Sequence, residues 1–366
     1  MRDKIIPVFL PYMGCSGKCI YCNQSVITST PDTESEFEKQ LIQAEKNVYK
    51  AQTTFLIGFY GGTFLQIRGH HFSKIILFLN KISKYKKFQG IRFSTTPESV
   101  CKNLSRVLFL KKFNLNLVEL GVQTFNEHIL KKIGRKTKEE DILNSVKSLG
   151  TNGINWAYQV MPGLPSENFR EFYESCDYYF TNYPPEYIRI YPLIVFKDTE
   201  LEKLYRAGLF VPLNLEESID CVKAIYLLAH KNKIEILKIG IHPEKSVFEN
   251  YIAGPLNGHL KELVKGSIIV DWINDHIDEN TKCVEINILS KFQSWLRGEG
   301  CAVLKPISDL GINYKIISSE SNNNNFITLK IYTQDDKIIL ETSGHWENIC
   351  ESSSKKVLEC PVLRER

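Results

Sequence analysis

Three cysteines within eight residues, Cys15-Ser-Gly-Lys-Cys19-Ile-Tyr21-Cys22, constrain this chain more than any other stretch. Spaced Cys-x3-Cys-x2-Cys and flanked or interrupted by Gly14 and Gly17, they let one loop present three sulfurs to one metal centre. A structural zinc site takes four ligands, and an iron–sulfur cluster held by cysteine alone also takes four thiolates. No fourth Cys and no His occurs in the first 69 residues. The economical reading is a cluster with three irons tied to protein and one coordination position open for a substrate or cofactor. A partial zinc site and reduced core thiols stand as the alternatives.

The flanking pattern sets the fold class. Ile5 to Leu10 reads as a buried strand, with the cysteine loop at its C-terminal end. Ser35 to Ala51 carries apolar residues at helical spacing (Phe37, Leu41, Ala44, Val48). Further strands are predicted over Thr54–Tyr60, Ile91–Thr95, Leu115–Val122, about 155–161 and Tyr187–Tyr191, with helices over Phe72–Lys84, about 98–112, 139–148 and 167–181. Six strands alternating with helices predict an α/β fold, a parallel barrel or open sheet. In such barrels function sits at the C-terminal strand ends, which is where the cysteine loop and Gly61-Gly62-Thr63-Phe64 both fall. The expected core is a partial (βα)6 barrel over residues 1–245, including an amphipathic helix Leu215–Asn232 and a further strand Ile234–Ile241. Residues 246–280 read as a connecting segment. Short strands at Val284–Leu289, Asn313–Ile317, Thr328–Tyr332 and Ile338–Glu341 then predict a small α+β accessory domain over 281–366, interrupted by a polar loop at 318–325.

Net charge is +4, from 46 basic and 42 acidic residues, compatible with a nucleic-acid partner but too mild to establish one. The N-terminal apolar run is too short for a signal peptide, and no window of about 18 apolar residues exists to span a membrane. Ten cysteines without a secretion signal predict a reducing, cytoplasmic setting.

The Cys-x3-Cys-x-aromatic-Cys pattern, with Tyr21 as the aromatic, resembles the signature of radical S-adenosylmethionine (SAM) enzymes. The resemblance implies a [4Fe–4S] cluster on Cys15, Cys19 and Cys22, with SAM on the fourth iron. Gly61-Gly62 is similar to the family's Gly-Gly motif against the SAM amino group. Here Thr63 stands where many members have Glu, as in the branch resembling the Elongator radical SAM subunit. Four more segments carry the likeness. Arg92-Phe-Ser-Thr-Thr-Pro97 offers Ser94 or Thr95 towards SAM. Glu119-Leu-Gly-Val-Gln123 offers Gln123 to the ribose, and Ile133-Gly-Arg135 offers Arg135 to the SAM carboxylate. Gln159-Val-Met-Pro-Gly-Leu-Pro165 lies near the adenine, with Gln159 where related coproporphyrinogen dehydrogenases have Asp. Arg189-Ile-Tyr-Pro, Ile239-Gly-Ile-His-Pro243 and Gly254-Pro255 extend the resemblance to about residue 265. It implies reductive cleavage of SAM to methionine and a 5′-deoxyadenosyl radical, an electron donor of the flavodoxin or ferredoxin type, and, by analogy, an RNA substrate, tRNA first. A small metabolite or peptide substrate, or a non-catalytic iron–sulfur or RNA-binding role, are the other readings.

The acetyltransferase domain of full-length Elongator subunits is expected to be missing. The four glycines after Thr281 (298, 300, 311 and 344) form no glycine-rich turn opening a helix, so acetyl-CoA is not an expected cofactor. Lys131, Lys132, Lys136 and Lys138, like Lys81, Lys84, Lys86 and Lys87, read as solvated surface charge, with contacts to phosphates as the alternative. His70-His71 has no carboxylate or Cys nearby in sequence and is expected at the surface. Cys350 and Cys360, near His345, are expected to be inert small hydrophobes rather than ligands of a second cluster. Trp295 to Ile307 resembles a KH-like RNA module but lacks its Gly-x-x-Gly loop.

Overall fold

Uninterrupted apolar runs such as Phe55-Leu-Ile-Gly-Phe59 suit strands covered on both faces, and the structure, a computed structural model, places them in a parallel sheet. It describes residues 3–320, 327–333 and 338–357. The strands in chain order are β1 (Lys4–Phe9), β2 (Phe55–Tyr60), β3 (Phe88–Thr95), β4 (Leu115–Gln123), β5 (Trp156–Val160), β6 (Tyr187–Ile190), β7 (Val195–Phe196), β8 (Glu235–Ile239) and β9 (Tyr251–Ala253). Seven of them form one parallel sheet in the order β1-β2-β3-β4-β5-β6-β8, curled into the half-barrel that the alternating pattern predicts. The further strand near 234–241 is its seventh member, paired with β6. Strands β7 and β9 form a separate antiparallel ribbon.

Two boundaries differ for local reasons. The helix expected over 98–112 breaks at Asn103, which leaves helical geometry (φ −129°, ψ 35°) and separates Pro97–Lys102 from Leu104–Leu110. The connecting segment contains a helix, Leu260–Asn274, buried on nearly every side through Leu263, Val264, Ile268, Ile269 and Trp272. Its buried apolar residues spread beyond one stripe, so no clean amphipathic period betrays it, although Lys261, Glu262, Lys265 and Asp271 stay partly exposed. A Cβ on its Gly266 would lie 2.2 Å from the Trp295 carbonyl, so it crosses the helix Ser294–Cys301 at close range. Beyond it, β10 (Cys283–Leu289), β11 (Asn313–Ser319), β12 (Ile327–Tyr332) and β13 (Ile338–Gly344) form a four-stranded sheet in the order β11-β10-β12-β13. One hydrophobic core runs from the half-barrel through this helix into that sheet.

Candidate functional site

The cysteine loop is shaped by the strand end next to it. Leu10 N–H donates to the Tyr60 carbonyl (2.7 Å), Tyr12 N–H to Gly61 (2.8 Å), and Thr63 N–H back to Met13 (2.8 Å). Gly14 has φ +76°, and a Cβ there would sit 2.2 Å from the Thr63 carbonyl; one on Gly62 would sit 2.3 Å from the Met13 carbonyl. Only glycine permits both approaches. The far side of the loop is held by distant chain. Ile20 N–H donates to Ile133 (3.1 Å), Leu201 N–H to Ile20 (2.8 Å), and the Asn23 amide to the Lys197 carbonyl (2.9 Å).

Facing this loop at the C-terminal strand ends is a cavity of ≈ 400 Å³, and all twelve residues singled out in the sequence line it. Cys15 Sγ lies 3.5 Å from the Thr63 hydroxyl. Thr95 is buried and spends its hydroxyl on Ser99 (2.6 Å), whereas Ser94 makes no hydrogen bond among the described residues. Gln123, buried at φ +71° where β4 slips register against β5, accepts from the Gln159 amide (3.3 Å). A non-glycine residue in that conformation is strained by about 1–3 kcal/mol and is held there by its surroundings. Arg135 donates to the Gly121 carbonyl and lies 3.8 Å from Cys19 Sγ, while its buried Nε has no partner.

These residues fit an iron–sulfur cluster with SAM. The three cysteines are free. A single zinc with Zn–S near 2.3 Å gathers its sulfurs to about 3.8 Å of one another. The donor group that does lie within 4.8 Å among the described residues is Glu34, His70 and His71, so the cysteine sulfurs are spread wider than one ion requires. Burial, then the neighbouring Cys19 and Cys15, pushes the Cys22 thiol up to about 12, so a metal must displace its proton. The unpartnered Arg135 donor beside Cys19 leaves a place for an anionic oxygen.

Sequence reasoning missed the charges behind this wall. Glu119, on β4, is 2% exposed and bridges two guanidiniums: Arg92 of β3 (Nη2 at 2.7 Å) and Arg189 of β6 (Nε at 2.5 Å). The available signal was charge inside strands otherwise apolar, as in Ile91-Arg-Phe and Tyr187-Ile-Arg-Ile. His70-His71 lies at the surface as expected, His70 exposed and His71 partly so, but it does have a carboxylate partner. His71 Nε2 meets the Glu34 carboxylate, supplied by the first turn of the helix Glu34–Tyr49, a partner that no local spacing reveals. Cys350 is fully buried in the core; Cys360 lies outside the described residues.

Glu167 staples the loop after β5, accepting from the N–H groups of Gly163 (3.2 Å) and Leu164 (3.3 Å). Burial lifts its carboxyl from 4.5 to about 8, against the lowering effect of Thr124 and those two N–H groups. Folding therefore favours the protonated form. Its stabilisation is fully present below pH 4.5 and lost as pH rises through about 8. Thermal unfolding of Glu167→Gln is expected to fall less between pH 6 and about pH 9 than that of the parent; parallel slopes would discard this assignment.

Residues 9–179 match the Radical SAM superfamily, and residues 185–269 match the Radical_SAM C-terminal domain. An uncharacterized protein of Methanocaldococcus jannaschii is 27% identical over 219 residues, 59% of this chain and 64% of that protein. A tRNA uridine(34) acetyltransferase of Methanocaldococcus infernus is 33% identical over 113 residues, 30% of this chain and 21% of that enzyme. The chain thus spans less than two thirds of the length of these curated relatives. Among solved structures, the archaeal M. infernus Elp3 lacking residues 1–46 superposes with a TM-score of 0.56 at 17% identity, covering 94% of this chain and 78% of that one. The two family matches leave only residues 180–184 between them and together take in the half-barrel from the end of β1 through β8; the chain is a radical SAM superfamily enzyme.

Proposed function

We propose that Cys15, Cys19 and Cys22 hold a [4Fe–4S] cluster, that the cavity binds SAM, and that the enzyme modifies RNA, tRNA first. The observation that carries the cofactor reading is the convergence on one cavity of Cys15, Cys19, Tyr21 and Cys22 of the loop with eight residues from elsewhere in the chain. When bound, the cluster supplies the electron for reductive cleavage of SAM to methionine and a 5′-deoxyadenosyl radical that takes hydrogen from substrate. The chain's own residues bind and orient. Gly61 and Gly62 let a ligand approach backbone unobstructed, the Gln123–Gln159 amide pair presents a fixed polar edge, and Arg135 offers its open donor to a carboxylate. The tRNA reading is supported by the name of the M. infernus relative, a tRNA uridine(34) acetyltransferase, which is similar to this chain over 113 residues. An electron donor of the flavodoxin or ferredoxin type would serve it.

The anaerobically reconstituted, reduced protein is expected to form 5′-deoxyadenosine from SAM. Arg135→Ala should weaken SAM binding by about 1.5–3 kcal/mol, the worth of a charge-assisted contact. Unchanged SAM affinity in that variant would show that Arg135 does not face the carboxylate. Mass spectrometry of RNA nucleosides from cells with and without the gene tests the substrate; identical nucleoside profiles would remove RNA.

A further inference from the structure

The cavity wall opposite the cysteine loop carries a surplus of positive charge that nothing within it neutralises. Arg189 on β6 and Lys238 on β8 are direct register partners, and both line the cavity. Like charges placed opposite one another across two strands repel. Glu119 is already shared by Arg92 and Arg189, so one carboxylate serves two guanidiniums. Lys238 makes no hydrogen bond or ion pair among the described residues. Its nearest acidic influence is Glu244 at the rim, which is engaged by the Ser29 hydroxyl (3.1 Å). Burial, and then the Arg189 charge, lowers the Lys238 pKa. Counting Arg92, Arg189 and Lys238 against Glu119 and Glu244 leaves one uncompensated positive charge, partly withdrawn from water, where an unpaired charge is costly.

Unspent donors point the same way. Of the five N–H groups of a guanidinium, Arg189 uses Nε and Nη2 on Glu119 and Nη1 on Tyr191 (2.9 Å). That leaves two N–H groups. The Tyr191 hydroxyl, accepting from Arg189, keeps its own hydrogen to donate. Amine, guanidinium and phenol donors thus line the β6–β8 side of the cavity, next in register to Gln159 of β5.

We propose that Arg189, Lys238 and Tyr191 form a subsite for an oxyanion of the substrate, a carboxylate or a phosphate, separate from the position Arg135 offers to SAM. This rests on the reading of the cavity as a SAM site. An oxyanion there supplies the missing charge and accepts from all three donors.

The test is thermal unfolding of the reconstituted, SAM-loaded protein, titrated at constant ionic strength with sodium phosphate and, separately, with sodium acetate, beside Lys238→Met. One of the two anions should stabilise the parent saturably and should bind the variant at least about tenfold more weakly. Phosphate acting more strongly assigns a phosphate-bearing substrate, acetate a carboxylate. Without either anion, Lys238→Met should be the more stable protein, because it relieves the repulsion; a structural lysine gives the opposite sign. Equal anion effects in both proteins, or a variant less stable than the parent, overturn the proposal. SAM affinity, measured in parallel by equilibrium dialysis, separates the two readings. If it is unchanged in Lys238→Met while the anion effect is lost, both stand. If it falls with the anion effect, this wall holds the SAM carboxylate and the subsite is refuted. If the parent binds no SAM but still shows the anion effect, the SAM reading alone fails.

Discussion

Replacing Gly14 with alanine is expected to strip the protein of its iron while leaving the barrel folded. At φ +76° the residue lies where L side chains are disfavoured, and the new Cβ would be 2.2 Å from the Thr63 carbonyl and 2.9 Å from the backbone at Gln66 and Ile67. None of these is a flexible side-chain tip, so the turn itself must move. That turn leads directly into Cys15, whose N–H is fixed on the Tyr12 carbonyl (2.9 Å). Displacing a ligand's supporting contacts costs about 10–100-fold in metal affinity, and here all three sulfurs share the displaced segment. Gly17→Ala is the control, because nothing lies within 4 Å of a Cβ built there. Iron and sulfide, measured after anaerobic reconstitution, should be near parent levels in Gly17→Ala and at least about tenfold lower in Gly14→Ala. They should also be lost in Cys19→Ser and kept in Cys350→Ser. Full iron content in Gly14→Ala or Cys19→Ser would end the assignment of this loop as the cluster site.

The second large effect is expected at Glu119. Its carboxylate is 2% exposed, and the Arg92 and Arg189 side chains around it are 5% and 15% exposed. Glu119→Gln removes, among the described residues, the one negative charge in contact with both guanidiniums. Breaking a buried pair in this way costs about 3–5 kcal/mol, a large part of the roughly 5–15 kcal/mol that holds a typical domain together. The midpoint of urea unfolding should drop accordingly. Adding Arg92→Met to Glu119→Gln should recover part of the loss, because one stranded charge is then gone. A single variant within about 1 kcal/mol of the parent would mean that water from the cavity already solvates the pair.

Much of this architecture was legible because parallel strands announce themselves twice, as apolar runs and as abrupt stops. Gly61-Gly62 and Pro97 mark where β2 and β3 end, and residues beside such stops fall together once the strands align. The charged network was not legible for the opposite reason. Arg92, Glu119 and Arg189 sit on three strands, Glu119 lying 27 residues beyond Arg92 and Arg189 a further 70 beyond Glu119, and only the register of the curled sheet brings them into contact. Glu34 and His71 likewise meet across two helices, 37 residues apart. The helix Leu260–Asn274 was hidden because its buried residues, Leu263, Val264, Ile268, Ile269, Val270, Trp272 and Ile273, do not keep to one helical stripe.

The way the cysteine loop is fastened also sets an order of events during synthesis. Its near side is completed by Gly61 and Thr63, soon after the thiols leave the ribosome. Its far side waits for Lys197, 174 residues beyond Asn23, and then for Leu201. At roughly 5–20 residues per second the nascent chain carries three half-shaped thiols for some tens of seconds. Only a finished barrel presents all three sulfurs in place, so on the proposed reading a cluster would be delivered late, to a folded recipient rather than to an emerging chain.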